Sequence, residues 1–197
     1  MKGYTTKTRI ENYLLITIDP SFDNQIEEWI EEVEAYIEQK TGRVFVAESV
    51  GAETTRRFDG DDTTRLLIDD AIAIEEIKLT SDSDALTTDD YVTYPQNAIA
   101  KGVPITSIEL LAAVFPAYPR QSVSIKARWG YSASVPDLIR NAATVLVAGI
   151  INFSWTSDGE IKSETIGRYS VTYKDAKQWN DFEKIEDILA SFEKFSF

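Results

Sequence analysis

Between Asp19 and Phe45 the sequence reads DPSFDNQIEEWIEEVEAYIEQKTGRVF. Ile26, Trp29, Ile30, Val33, Tyr36 and Ile37 recur there at steps of three and four, which draws one apolar side on a helix. Asp19 or Ser21 suits the start as a cap, and Pro20 fits the first turn if Asp19 caps. Gly42 stands where a left-handed residue would end the helix. Glu27, Glu28, Glu31, Glu32, Glu34 and Glu38 read as the opposite, acidic side, with only Lys40 against them. Like charges at this spacing repel, and a helix of this length is marginal in isolation. Its apolar stripe therefore needs a partner elsewhere in the chain.

The far end of the sequence supplies candidates. Pro136-Asp137 opens a helix through Leu138, Ile139, Ala142, Val145, Leu146, Gly149, Ile150 and Phe153. It is apolar over most of its circumference, as a central helix covered on several sides would be. A final helix, capped by Asn180 or Asp181, sets Phe182, Ile185, Ile188, Leu189 and Phe192 on one face. A short helix capped by Thr6, with Ile10, Tyr13 and Leu14, precedes Asp19.

From Val46 to Ala133 the texture is that of a sheet, rich in Thr, Val, Ile and Tyr and broken by turn signals. The expected strands are Thr54–Phe58, Arg65–Ile68, Ile74–Thr80, Tyr91–Tyr94, Thr106–Leu111 and Ser122–Trp129; Ile108–Phe115 is also compatible with helix. The clearest is the last, where Val123, Ile125, Ala127 and Trp129 alternate with polar residues. Ser163–Tyr173 has strand character, with Gly167 as a turn or bulge. The fold class expected is α+β: a small helical bundle built from both chain ends (1–45 and 135–197) with an inserted antiparallel β region (46–134).

The chain has no histidine and no cysteine. That removes Ser-His and Cys-His nucleophile pairs, thiolate metal sites and disulfides. Its 33 acidic and 20 basic side chains leave a formal charge of −13. The excess is spread along the chain: 5 cations and 9 anions over 1–45, 8 and 14 over 46–135, 7 and 10 over 136–197. Tight tracking of nucleic-acid phosphates does not fit this balance. Met1–Tyr13 is polar, and the uncharged run Asn141–Ser157 is too short and too polar to span a bilayer, so a soluble product with no membrane association is expected.

Several residues invite a sharper reading. The Glu27, Glu31, Glu34 and Glu38 stripe would line a channel or meet a basic neighbour; a solvated helix face is the plainer account. Asp59, Asp61, Asp62, Asp69 and Asp70 resemble a calcium loop only loosely, since Thr64 stands where that loop requires glycine. Asp69/Asp70 and Glu75/Glu76 are neighbours in strands and point to opposite faces, so neither makes a converging acid pair. Trp129 and Tyr131 would stack bases or, more simply, pack in a core. Arg56, Arg57 and Arg168 are the cations best placed to meet an acidic neighbour. Phe192, Phe195 and Phe197 put three aromatic rings near the end of the sequence, where an interface would bury them. No catalytic, metal or cofactor residues are assigned.

Taken in order, these pieces resemble a family of head–tail connector (head-completion or adaptor) proteins of tailed bacteriophages. The matching elements are Thr6 to Leu14, then Ile26 to Phe45 ending in Thr41-Gly42-Arg43-Val44-Phe45, and Phe58-Asp59-Gly60. Ala127-Arg128-Trp129-Gly130-Tyr131 running into Val135-Pro136, the apolar helix, and Ile166-Gly167-Arg168-Tyr169-Ser170-Val171 complete the set. The resemblance implies a virion protein without enzymatic activity or cofactor, assembled in the cytoplasm of a bacterial host. It implies a homo-oligomeric ring of about twelve subunits, with a portal protein above, a tail-completion or stopper protein below, and DNA passing through without sequence-specific binding. It also implies that Ile166, Gly167, Arg168 and Tyr169 project towards the channel or a subunit contact. The alternatives are another neck or tail part, such as a tail terminator or baseplate adaptor, and a carboxylate-dependent enzyme or metal-binding module.

Overall fold

A computed structural model describes residues 2–81, 83–155, 162–166, 169–173 and 176–194, with backbone alone for Phe153, Trp155 and the described residues between 162 and 182. The chain divides into two compact units, Met1–Arg43 with Val135–Phe197, and Val44–Ser134. The fold is α+β.

The helical unit takes helices from both parts of the sequence. Helix α1 (Lys7–Leu14) begins at Thr6, whose hydroxyl accepts the Arg9 N–H. The chain turns at Leu15, then enters a short 3-10 turn, Pro20–Phe22, in which Asp19 accepts the Ser21 N–H at 2.8 Å. Helix α2 (Asp23–Thr41) ends at Gly42, whose φ of 67° belongs to the left-handed region and lets its N–H reach the Glu38 carbonyl. Helix α3 (Asp137–Trp155) is the centre: α1, α2 and a last helix α4 (Ala176–Ser191) all pack on it. Its Ile139, Ala142, Ala143, Leu146, Val147, Ala148, Ile150 and Ile151 are buried, together with Ile26, Trp29, Ile30, Val33 and Ile37 of α2. Small residues at 142, 143 and 148 let neighbouring backbones approach. Helix α4 starts at Ala176, ahead of the expected caps Asn180 and Asp181. The hairpin of β6 (Lys162–Ile166) and β7 (Tyr169–Tyr173) is antiparallel, with Ile166 opposite Tyr169, and β7 lies against α3 and α4.

The β unit is one five-stranded antiparallel sheet. Its strands are β1 (Thr54–Phe58), β2 (Arg65–Lys78), β3 (Tyr91–Tyr94), β4 (Ile105–Leu110) and β5 (Val123–Trp129), in the order β1-β5-β2-β4-β3. Two expected strands, Arg65–Ile68 and Ile74–Thr80, are one. Strand β2 pairs with β4 from Arg65 to Ala71, with a register shift between Leu67 and Ala71, and with β5 from Ala71 to Lys78. Residues 108–110 are strand, and the helical option there is not taken. The core gathers Leu66, Ile68, Ile77, Ile108, Leu110, Phe115, Val123, Ile125 and Trp129. Gly130 closes β5 at φ 132°, where a Cβ would come within 2.5 Å of the Ala47 Cα.

Candidate functional site

The acidic stripe of α2 is two surfaces, not one. Glu27 and Glu31 are exposed, as is Glu28. Glu34 is 4% exposed and Glu38 partly buried. Glu34 therefore does not belong to a solvent-facing or channel-facing side. Its Oε2 accepts the Lys2 backbone N–H at 2.6 Å and its Oε1 the Tyr4 N–H at 2.9 Å, so one carboxylate satisfies two donors either side of Gly3. The Tyr4 hydroxyl and the Lys2 ammonium both donate to Glu38. Tyr4 is fully buried, and the next residue, Thr5, shares a hydrogen bond of 2.7 Å with Thr144 of α3. The segment before α1 is thus strapped to α2 by two acids and to α3 by a hydroxyl pair.

The other sequence-marked acids brace loops. At one end of the sheet the turn 59–63 and the loop 115–121 are tied together. Asp59 accepts the Gln121 N–H at 2.7 Å and Asp62 the Ala117 N–H at 2.9 Å; the Phe115 carbonyl accepts the Asp62 N–H, and Thr63 accepts from Phe115. Asp61 takes both the N–H and the hydroxyl of Thr63. Gly60 lies so close that a Cβ would meet the Pro116 carbonyl oxygen at 2.4 Å. Asp62 and Gln121 take positive φ, 60° and 54°, a conformation held by this bracing. Asp69 pairs with Arg56 at 2.7 Å, and Asp70 is buried with its carbonyl accepting the Gly130 N–H. Among the described residues no group of three or more acids is placed to hold a metal ion.

The aromatic candidates are structural. Trp129 is 2% exposed, donates its indole N–H to the Thr54 carbonyl at 2.8 Å, and carries the Arg56 guanidinium 4.6 Å from its ring centre. Tyr131 packs on Phe45, with ring centres 5.4 Å apart. Trp129 offers no free ring face to a base, and Tyr131 is partly exposed.

Of the marked arginines, Arg56 is committed to Asp69 and Trp129. Arg57 is exposed and donates to the Gln121 carbonyl at 3.4 Å. A cation the sequence did not single out is Arg120, with a side chain 85% exposed and 3.8 Å from Asp59. Tyr118, in the braced loop 115–121, is 86% exposed. Its signal in the sequence was a turn, Pro116–Arg120, which said nothing of outward projection.

Gly167, Arg168, Phe195 and Phe197 lie outside the described residues. Ile166 and Tyr169 form the last pair of the β6–β7 ladder. Phe192 is partly buried; its carbonyl accepts the Arg43 Nε–H at 2.7 Å, and the Lys194 N–H reaches the Thr41 carbonyl, so α4 ends against the end of α2.

An open groove of about 450 Å³ between α1 and α3 is lined by Arg9, Asn12, Tyr13, Asn141, Thr144 and Val145. It has no carboxylate and no acid–base pair. Burial raises the Tyr91 phenol, and the other perturbed titrations belong to bracing contacts. The Thr87 hydroxyl and N–H hold Asp90 below the usual carboxylate range, Ser21 does the same for Asp19, and the Gly51 N–H for Glu53. A hydrogen bond with Glu75 raises Lys126. Among the described residues no helix is long and apolar enough to cross a membrane.

This fold is of the kind found in the necks of phage-like particles. One solved chain, from the neck of an empty gene transfer agent (GTA) particle computed with C6 symmetry, is similar at a TM-score of 0.57 and 13% identity, covering 100% of this chain and 92% of its own. A second, from the neck of a native GTA particle computed with C12 symmetry, is similar at 0.54 and 14% identity, covering 90% and 86%. No protein-family model and no curated protein matches the sequence.

Proposed function

We propose that this protein is a structural, non-enzymatic subunit of a phage-like virion: a head–tail connector that assembles as a ring of about twelve copies below the portal and extends the DNA channel towards the tail. The observation that carries this reading is the likeness, over the whole of this chain, to a chain in the neck of a GTA particle. Necks computed with C6 and with C12 symmetry both contain such a chain, which supports a ring of about twelve. The sequence pieces shared with connector proteins support the same role. The net charge of −13 suits a conduit through which DNA slides without holding, because like charge opposes phosphate contacts. A portal above and a stopper protein below are the partners this role requires.

Electron microscopy of the purified full chain, alone and mixed with the portal protein of the same particle, tests the proposal. A closed ring of about twelve copies, coaxial with the portal, is expected. A six-fold cap on a tail tube, or turnover of a substrate lost on changing Asp61 or Asp69, would replace it with a different role.

A further inference from the structure

The open groove of about 450 Å³ in the helical unit is made by one face of each of two helices: Arg9, Asn12 and Tyr13 of α1, and Asn141, Thr144 and Val145 of α3. Both sets fall at steps of three and four. The volume is that of a small binding pocket, roughly 300–1,000 Å³. The Arg9 guanidinium donates to the Asn141 Oδ1 at 3.2 Å and, among the described residues, meets no carboxylate. The acids nearest in sequence are engaged elsewhere, Glu11 with the Ile18 N–H and Asp137 with Arg140. Tyr13 is 48% exposed. The groove therefore offers a ring, an aliphatic side chain, two amides and a cation. That set suits an incoming aromatic side chain with a polar end.

The β unit carries such a side chain. From Leu110 to Pro119 the sequence has no charged residue, and Leu111, Val114 and Tyr118 are exposed within that run. Four hydrogen bonds from the 59–63 turn fix residues 115–121, so little backbone freedom remains to be lost on docking. In these two loops Asp59, Asp61 and Asp62 stand against Arg120 alone, which already pairs with Asp59. The tip is thus aromatic and acidic. We propose that Tyr118 of one copy seats in the α1–α3 groove of a second copy, its ring against Tyr13 and Val145 and its hydroxyl among Arg9, Asn12 and Asn141. The argument for that occupant is shape, chemistry and sign together. One chain carries both a braced aromatic projection and a recess with an aromatic wall, and the recess holds a cation where the projection is acidic. An aromatic residue filling a partner's pocket is a common interface anchor. The contact joins two different surfaces, so it runs head to tail, as a ring requires. A nucleic-acid base is the competing partner for the exposed ring, and the acids around it oppose phosphate.

The inference rests on the reading that copies of this chain assemble, and the test separates the two. Tyr118→p-benzoylphenylalanine keeps an aromatic ring at the tip and links to its neighbour on illumination. In a mixture of light and nitrogen-15 full-length chains, the link is expected between position 118 of one isotope and residues 9–13 or 141–145 of the other. Tyr118→Ala should lower the assembled fraction at least about tenfold, as loss of an interface anchor does, and Tyr118→Phe should lower it less. Asn12→Trp, which fills the groove from an exposed position, should match Tyr118→Ala, both with unchanged thermal unfolding. The alanine variant keeps its groove and the tryptophan variant keeps its tip. Mixed, they should form pairs that stop at two chains. Variants that assemble like the parent, a mixture that gives no pairs, linkage within one chain or to another segment, or an alanine variant that loses only retention on a short DNA strand would overturn the inference. Rings without the linkage leave the connector reading standing and remove this contact; linkage without rings does the reverse.

Discussion

The Tyr4 backbone N–H lies 2.9 Å from Glu34 Oε1, across thirty residues of sequence and inside the helical unit. A carboxylate in this setting is stable because two main-chain donors replace the water it loses, and the donors are stable because the carboxylate receives them.

Removing that acceptor should release the strap. Glu34→Leu leaves the buried Tyr4 N–H and the partly buried Lys2 N–H unanswered and should cost roughly 2–4 kcal/mol, while Glu34→Gln keeps one acceptor and should cost about 1–3 kcal/mol. Urea midpoints at constant slope read both. A leucine variant as stable as the parent would mean that Tyr4 is held by its burial alone.

The centre of the helical unit should respond as a packed core. Leu146 is 1% exposed on the helix that the others share. Leu146→Ala is expected to cost about 2–5 kcal/mol, and Leu146→Asp to prevent folding. Denaturation of the first and circular dichroism of the second are the checks; a folded aspartate variant would place position 146 at a surface.

Two glycines with positive φ should behave differently. At Gly102, φ is 68° and a Cβ would meet nothing within 4 Å, so Gly102→Ala should cost only the backbone term, about 1 kcal/mol. Gly130→Ala adds a clash with the Ala47 backbone and should cost several times more, about 3 kcal/mol or above. Equal losses in paired thermal melts would contradict the close approach.

Asp90 gives the acid limb a specific contributor. Its carboxylate accepts from the Thr87 hydroxyl and N–H, each at 2.7 Å, and titrates below the usual aspartate value of about 3.9. The stabilisation it provides is complete above that value and disappears as pH falls through the lower folded-state value. Asp90→Asn should therefore be less stable than the parent at neutral pH, with the gap closing under strongly acidic conditions. A gap that persists unchanged at low pH would assign it to some other contact.

The helix ends and most strands were legible because each carries its own local chemistry: Thr6 and Asp19 accept N–H groups, Gly42 turns left-handed, and β5 alternates without a break. The expected strands stop at Ile68 and resume at Ile74, because paired acids such as Asp69-Asp70 are poor strand formers, whereas β2 runs through them. Arg56 of β1 pairs with the Asp69 carboxylate, and the Gly130 N–H, just past β5, donates to the Asp70 main-chain carbonyl. Glu34 was readable in principle. It lies four residues after Ile30 and three before Ile37, about 40° round the helix from the former, so its own spacing sets it beside the apolar side. What no periodicity in α2 reveals is the segment that covers it. The exposed tip at Tyr118 was likewise beyond a turn signal, since projection depends on what the opposite turn does.

The offset in the middle of β2 makes one stretch of chain the common spine of two ribbons. Its first half holds β4 and, through it, β3; its second half holds β5 and, through it, β1. Without its half of β2 each ribbon is left with two strands, too few to persist in water. Residues spliced in between Leu67 and Ala71 should unzip the sheet into both, whereas the same residues added at the Ser83 bend should be absorbed. The β unit is in that sense hinged on its least strand-like dipeptide.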